Sequence, residues 1–164
     1  MSDLPSYAPL VGVTRGGRIE SVHYGAIAVA GADGTLVAGI GDASAAPFLR
    51  SSAKPFQVIP LIESGAADRF GLTPGEIAVA VASHHAQPMH VAAAFSILAK
   101  IGLDESALAC GAHEPVNREA ARALKAAGRE PTPIHCNCSG KHAGMLAVCV
   151  HRGWATAGYH EPGH

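Results

Sequence analysis

Several features that would place this protein in a specialised class are scarce or missing in its sequence. Aromatic residues make up only 5% of the 164 residues, and the formal net charge is −1, from 12 basic and 13 acidic side chains. That balance gives no electrostatic reason to expect binding to nucleic acid or to an anionic membrane surface. No apolar run reaches the roughly 20 residues that a membrane-spanning helix needs. The chain is long enough for a sizeable core, and we expect a single domain over residues 1–164.

Signals for secretion and for disulfide bonding are also missing. Residues 1–5 contain neither a basic region nor an apolar stretch, so no signal peptide is evident. The cysteines at positions 110, 136, 138 and 149 do not have the spacing of a disulfide framework. We therefore expect reduced thiols in a cytoplasmic protein.

The order of the predicted elements indicates an α+β fold. Residues 9–42 alternate β-rich runs with glycine-containing turns at 16–17 and 31–34, which is typical of antiparallel strands. From about Ser52 the apolar period becomes helical. First-turn prolines, a capping box at 73–76 and terminal glycines mark the helices. The predicted helices cover about 52–64, 74–82, 88–100, 117–127 and 141–151. Strands followed by helices predict an antiparallel sheet packed with helices.

Ser51 and Lys54 form the first pair that could carry chemistry. A serine hydroxyl is a poor nucleophile until a base removes its proton. A lysine three positions later on a helix lies on the same face, within reach of that hydroxyl, and it acts as a base where its surroundings favour the neutral amine. The alternative is that Ser51 or Ser52 caps a helix and that Lys54 is solvated. The S-x-x-K spacing alone does not choose between these interpretations.

Ser83 follows the predicted helix over 74–82 and is followed by several histidines. The end of an element presents functional side chains easily. The alternative role for Ser83 is a cap for the helix that starts near Pro88. His85 and His90 fit surface or core positions better than ligand positions.

A third cluster, residues 135–145, combines histidines, two cysteines and glycines around a predicted helix start. Thiolates beside imidazoles in a tight turn could bind zinc. However, C-x-C is not the usual C-x₂-C knuckle, and one short turn rarely supplies a whole tetrahedral site. Alternatively, Ser139 and Gly140 present backbone N–H groups to an anion such as a substrate carboxylate.

Taken together and in this order, these segments resemble the L-asparaginase II family. This is the class related in fold to serine β-lactamases and glutaminases, not the class with a threonine nucleophile. The resemblance runs from about residue 10 to residue 162, and its specific strings are S-S-x-K-P-F-Q and C-S-G-K-H-A-G-M. The segments that carry it are 48–57, 82–84, 138–145 and 159–162.

The resemblance implies an enzyme that hydrolyses the side-chain amide of L-asparagine to L-aspartate and ammonia through a serine acyl-enzyme. Its site would use two serine–lysine tandems. Ser51 matches the nucleophile that attacks the side-chain carbonyl, and Lys54 matches the lysine that takes its proton. Ser83 matches the serine of the second tandem. The resemblance also suggests a homodimer.

The same resemblance implies a bound zinc and a substrate pocket. Cys138 and Lys141 match metal ligands, and a lysine ligand must be neutral. Zinc would orient the substrate and would not be the sole activator of the nucleophile. Arg50 and His142 match residues that line the pocket, where Arg50 is suited to hold the substrate α-carboxylate through a bidentate contact.

Members of this family continue beyond the segment that matches 159–162, and the lysine of the second tandem and a further cysteine ligand lie there. We therefore expect the N-terminal portion of such a domain, incomplete at its C-terminus. One alternative is a catalytically inert fragment, or a half that assembles with a separate C-terminal polypeptide. A second alternative, suggested only by the S-x-x-K spacing, is a β-lactamase-like or penicillin-binding acyl enzyme.

Overall fold

The computed structural model describes residues 6–164, which divide into two compact units. The first unit ends at Phe48, and the second is Leu49–His164. Strands form the first unit and helices the second, so the predicted α+β class is confirmed. That the whole chain forms one domain stays a prediction.

The first unit contains two antiparallel hairpins. Its strands are β1 Ala8–Arg15, β2 Arg18–Gly25, β3 Ile27–Ala30 and β4 Leu36–Ile40. β1 pairs with β2 and β3 with β4, so residues 6–48 form two two-stranded sheets where one sheet was predicted. The turn between β1 and β2 is Gly16-Gly17, with φ values of 56° and 78°. Two positive φ values match the twist of a two-residue hairpin turn, as predicted.

The second unit contains six α-helices in residues 49–164. Their bounds are α1 Lys54–Glu63, α2 Ala66–Arg69, α3 Pro74–Val81, α4 Pro88–Lys100, α5 Arg118–Ala126 and α6 Ser139–Arg152. Short 3₁₀ turns lie at Arg50–Ala53, Glu105–Ala107 and Pro133–His135. The five predicted helices are confirmed, and the unpredicted α2 is too short to show a hydrophobic period. No helix in residues 6–164 is both long enough and apolar enough to cross a bilayer.

Side-chain caps and glycines set the helix ends where the sequence predicts them. The Thr73 hydroxyl accepts the N–H of Glu76 at 3.3 Å, and the Glu76 carboxylate accepts the N–H of Thr73 at 2.6 Å. This reciprocal capping box starts α3. At the end of α6, Gly153 adopts a left-handed conformation with φ 68°, which glycine takes without the steric cost of a Cβ.

Helix α6 forms the centre of the second unit and packs against α1, α3 and α4. A Cβ atom on Gly140 would overlap the carbonyl oxygen of Val79, so glycine is required for α6 to come this close to α3. Gly144 likewise faces Leu61 and Ala80, where a Cβ would lie 3.3 Å from each side chain. The core around these contacts is aliphatic, and its largest fully buried apolar side chains are Leu61, Ile97, Leu98, Ile134 and Leu146. Close helix approach therefore replaces the bulky aromatic core that the composition does not provide.

An ion pair links α3 to α4 at the edge of this core. Lys100 Nζ lies 2.7 Å from Glu76 Oε2, and it also donates to the carbonyl oxygen of Gly71 at 2.7 Å. Glu76 is only 4% exposed. Burial alone would raise the pKa of Glu76, but hydrogen bonds, led by the one from Lys100, outweigh it and lower the pKa to about 2. The ionised form of Glu76 therefore stabilises the folded state.

We predict that Glu76→Gln weakens the fold and reduces its sensitivity to acid. Since the folded pKa of Glu76 lies below its ordinary value of 4.5, its stabilisation is present above pH 4.5 and is lost as the pH falls towards 2. Glutamine keeps the capping box but not the ion pair, so at pH 7 the free energy of unfolding of the variant should be about 2 kcal/mol below that of wild type. Between pH 7 and pH 3 the variant should lose little further stability from this position. Urea unfolding at both pH values measures this. The exposed Glu63→Gln is the control, and an equal acid response of wild type and Glu76→Gln would contradict the prediction.

Candidate active site

Ser51 and Lys54 lie on either side of the start of α1. Ser51 belongs to the 3₁₀ turn Arg50–Ala53, and Lys54 is the first residue of the helix. The N-cap residue of α1 is Ala53, and no side chain caps the helix. Lys54 is 3% exposed. The alternative of a serine cap beside a solvated lysine is therefore excluded.

The buried amine of Lys54 has three oxygen partners. Its Nζ atom lies 2.7 Å from Ser83 Oγ, 3.1 Å from the carbonyl oxygen of Ala82 and 3.3 Å from the carbonyl oxygen of Asn137. Three acceptors match the three N–H donors of an ammonium group. In the neutral amine, two N–H groups serve the two carbonyls and the lone pair is left for the Ser83 hydroxyl. The same positions therefore accommodate Lys54 before and after it takes up a proton.

Ser83 connects Lys54 to Ser51. The Oγ atoms of Ser83 and Ser51 lie 2.8 Å apart, so the hydrogen-bonded path from the exposed Ser51 hydroxyl to the buried amine runs through Ser83. We call these three residues the Ser51–Ser83–Lys54 series. Ser83 does not cap α4, whose N-cap residue is Gln87. A proton leaving Ser51 reaches Lys54 when Ser83 accepts it and passes on its own.

Arg50 holds an unusual backbone conformation immediately before Ser51. Its φ angle is 52°, a left-handed value that costs a non-glycine residue on the order of 1 kcal/mol or more. Arg50 and Ser51 are both exposed, so the guanidinium group and the serine hydroxyl are open to a ligand arriving from solvent.

His142 lies buried on α6 with its tautomer determined by Tyr159. The Tyr159 hydroxyl accepts the N–H of Ala109 at 3.0 Å and lies 2.6 Å from His142 Nδ1. Since its oxygen already accepts from Ala109, we assign the hydroxyl as the donor to Nδ1. Burial raises the pKa of Tyr159 to about 12, so this donor stays protonated. Burial first, and the charge of Lys141 second, lower the pKa of His142 to about 4. His142 is therefore a neutral imidazole whose hydrogen is on Nε2.

His85 and His90, which are expected at surface or core positions, are exposed and half-buried, respectively. The His90 ring stacks on His84 with centroids 5.5 Å apart and an interplanar angle of 26°. A cleft of about 700 Å³ between α3 and α4 reaches Ser83 and these histidines but is not lined by Ser51 or Lys54. Of the Ser51–Ser83–Lys54 series, this cleft therefore borders Ser83 alone.

The structure places the two predicted zinc ligands at the start of α6. Cys138 is its N-cap residue and Lys141 follows three positions later, and both are half-buried. A structural or catalytic zinc ion needs at least three protein ligands. Within residues 6–164, no group of three or more His, Cys, Asp or Glu side chains lies close enough to hold a metal ion. These donors do not complete a zinc centre, so we derive no step through a metal, and zinc stays a prediction.

The alternative of an anion site at the start of α6 is not supported by the contacts. Ser139 is fully buried, and its N–H already donates to the carbonyl oxygen of Cys136 at 3.0 Å. Gly140 packs directly against α3. The first turn of α6 therefore serves helix packing.

The backbone acceptors of Lys54 and the contact between Tyr159 and His142 have no local signal in the sequence. The carbonyl oxygens of Ala82 and Asn137 belong to the backbone, which every residue type shares. Tyr159 lies in a segment that carries the family resemblance, but its contact with His142 spans 17 residues. No spacing rule relates the two, so only the resemblance drew attention to Tyr159.

Comparison with known proteins adds one positive finding. The family model described as L-asparaginase II matches residues 11–164. No curated protein matches the chain. The matched range contains all residues of the Ser51–Ser83–Lys54 series.

We predict that Arg50→Gly stabilises the protein by about 1 kcal/mol, because glycine adopts φ 52° without the clash that a Cβ causes. Leu49→Gly is the matched control, since Leu49 has φ −62° and glycine there should cost about 1 kcal/mol. Urea unfolding of both variants measures the difference. Equal losses in the two variants would show that Arg50 carries no backbone strain.

We also predict that His142→Asn makes stability less dependent on pH. The folded pKa of His142, about 4, lies below its ordinary value of 6.5. The unfolded chain therefore binds more protons between these values, and stability falls as the pH drops from 6.5 towards 4. The variant should lose about 2 kcal/mol less than wild type between pH 7 and pH 5. Unfolding curves of both proteins at the two pH values measure this. If wild type and His142→Asn lose equal stability between pH 7 and pH 5, the assignment of a buried neutral ring is refuted.

Proposed function

The chain belongs to the L-asparaginase II family, and on that premise we propose that it hydrolyses the side-chain amide of L-asparagine to L-aspartate and ammonia through an acyl-enzyme on Ser51. The observation that carries the proposal is the Ser51–Ser83–Lys54 series, which joins an exposed hydroxyl to a buried amine through contacts of 2.8 Å and 2.7 Å. An amidohydrolase with a serine nucleophile needs such a proton acceptor.

In the first half of the reaction, Ser51 Oγ attacks the side-chain carbonyl carbon of the substrate. Its proton moves to Ser83 Oγ while the Ser83 proton moves to Lys54 Nζ. The resulting ammonium group is held by its three oxygen partners. Lys54 then returns a proton through Ser83 to the amide nitrogen, the carbon–nitrogen bond breaks, and ammonia leaves. Ser51 is left as an ester of the aspartyl side chain.

In the second half, a water molecule attacks the ester carbonyl and gives a proton to Ser83, whose own proton moves to Lys54. The bond between the carbonyl carbon and Ser51 Oγ breaks, and the returned proton restores the serine hydroxyl. L-aspartate leaves, and the net reaction consumes one water for each amide. Lys54 is a base in the attack steps and an acid in the departure steps, which the acceptor arrangement around Nζ allows.

Two predicted pocket residues have properties that suit this substrate. Arg50 is exposed beside Ser51, and a guanidinium group binds a carboxylate through paired hydrogen bonds. His142 is neutral, with Nδ1 engaged by Tyr159, so its Nε2–H is the ring's donor. We propose that Arg50 binds the α-carboxylate and that His142 donates to a polar group of the substrate.

We predict that Ser51→Ala lowers ammonia release from L-asparagine by at least about 1,000-fold, because the nucleophile is removed. Ser83→Ala and Lys54→Met should each lower kcat by roughly 100-fold or more. The kcat of the Ser83→Ala, Lys54→Met double variant should be no lower than that of the less active single variant, since both residues serve one proton path. The control is Ser52→Ala, whose hydroxyl donates to the carbonyl oxygen of Leu49 and lies outside the series. L-Glutamine is assayed in parallel to define the substrate.

The covalent step has its own measurement. Hydroxylamine added during turnover should divert the ester to aspartyl hydroxamate, and mass spectrometry of quenched enzyme should find the acyl group on the peptide that contains Ser51. Near-normal turnover by Ser51→Ala would remove Ser51 from the nucleophile role. If the 164-residue chain releases no ammonia, the inert fragment replaces the proposal. Acylation of Ser51 by a β-lactam would instead favour the β-lactamase-like alternative.

A further inference from the structure

The partners of the Lys54 amine come from two separate parts of the chain. Ala82 and Ser83 lie between α3 and α4, whereas Asn137 lies just before α6. The position of Nζ relative to Ser83 Oγ therefore depends on how these two segments are held together. A displacement of about 1 Å at such a contact can cost a reaction roughly 100-fold in rate.

His84 joins the two segments with both its backbone and its side chain. Its N–H donates to the carbonyl oxygen of Asn137 at 3.1 Å, the same oxygen that accepts from Lys54. Its Nε2 atom lies 2.8 Å from the Oγ atom of Ser139, the first residue of α6. His84 is 4% exposed and Ser139 is fully buried.

The hydrogen bonds around His84 determine a single tautomer. The Ser139 hydroxyl has one proton, and it donates to the carbonyl oxygen of Ile134 at 2.9 Å. Ser139 must therefore accept from His84, which places the ring hydrogen on Nε2. His84 Nδ1 accepts the N–H of Ala86 at 3.1 Å. Ala86 is itself held at φ 55°, so the ring also fixes a strained turn after Ser83.

His84 has no ring atom left to carry a proton in the reaction. Burial first, and the charge of His90 second, lower the pKa of His84 to about 4, and both nitrogens have partners outside the Ser51–Ser83–Lys54 series. A ring so engaged is suited to hold its neighbours in place and not to act as a base.

We propose that His84 is a positioning residue for the reaction: by tying residues 82–86 to the start of α6, it holds Ser83 against the amine of Lys54. The proposal rests on the proposed function for its kinetic effect. Its structural effect, the protection of the Lys54 amine from solvent, does not depend on any activity.

The kinetic experiment compares His84→Ala with His84→Gln, because the glutamine amide can still donate to Ser139. We expect kcat to fall about 100-fold in His84→Ala with KM within about threefold, since His84 does not contact substrate. His84→Gln should recover kcat to within about tenfold of wild type. The exposed neighbour His85→Gln is the matched control and should keep wild-type kinetics. A His84→Ala enzyme with more than half of the wild-type kcat would overturn the proposal.

The second experiment measures how fast acetic anhydride acetylates Lys54, by peptide mass spectrometry, relative to the exposed Lys125. Lys54 should react at least about tenfold faster in His84→Ala than in wild type, with protection restored in His84→Gln. Leu98→Ala, which removes a fully buried core side chain, separates local loosening from general destabilisation and should leave Lys54 protected below its unfolding transition. Protection of Lys54 in His84→Ala equal to that in wild type would overturn the proposal.

If His84→Ala does not fold, Ser139→Ala takes its place, because it removes the acceptor and leaves the histidine. In that case faster acetylation of Lys54 in Ser139→Ala supports the proposal, and protection of Lys54 equal to that in wild type refutes it. If the wild-type chain releases no ammonia, the proposed function fails, whereas the acetylation rates still decide the positioning role.

Discussion

Placing the amine of Lys54 almost out of contact with water constrains the rest of the helical unit. A buried amino group is costly unless each of its donors finds an acceptor. Here the acceptors are one hydroxyl and two backbone carbonyls from segments that are far apart in the chain. These segments can meet at Lys54 only if α6 lies close to α3. The missing side chain of Gly140 allows that approach. The packing of α6 against α3 therefore determines whether the Lys54 amine finds its hydrogen-bond acceptors.

The electrostatics of the site follow from the same burial. His84 and His142 both have pKa values lowered to about 4, first by burial and then by neighbouring cationic groups. Two neutral imidazoles beside Lys54 add no positive charge at neutral pH. Each ring is also held in one tautomer by a hydroxyl partner, Ser139 in one case and Tyr159 in the other.

The sequence predicted those parts of the structure that depend on near neighbours in the chain. The capping box at Thr73 and the glycines after the helices placed five helices correctly, because these signals act within a single turn. The pairing of Ser51 with Ser83 spans 32 residues, and the carbonyl acceptors of Lys54 have no side-chain signature. Likewise, nothing local distinguishes two separate hairpins from one larger sheet, since strand pairing is decided by long-range contacts. The family resemblance supplied the residues of the site, and only the folded chain supplied the path that links them.

Two of the three acceptors of the Lys54 amine are backbone carbonyl oxygens, and this affects which substitutions the protein can tolerate. A carbonyl oxygen remains when its residue is replaced, so the partner at Ala82 survives a substitution that keeps the path of the chain. A single substitution can instead disrupt the path of the backbone at a position where only one residue type fits. Gly140, which has no room for a Cβ against Val79, is such a position. Natural variation should therefore be broad at Ala82, which contacts the lysine only through its backbone carbonyl, and narrow at Gly140, which does not contact the lysine.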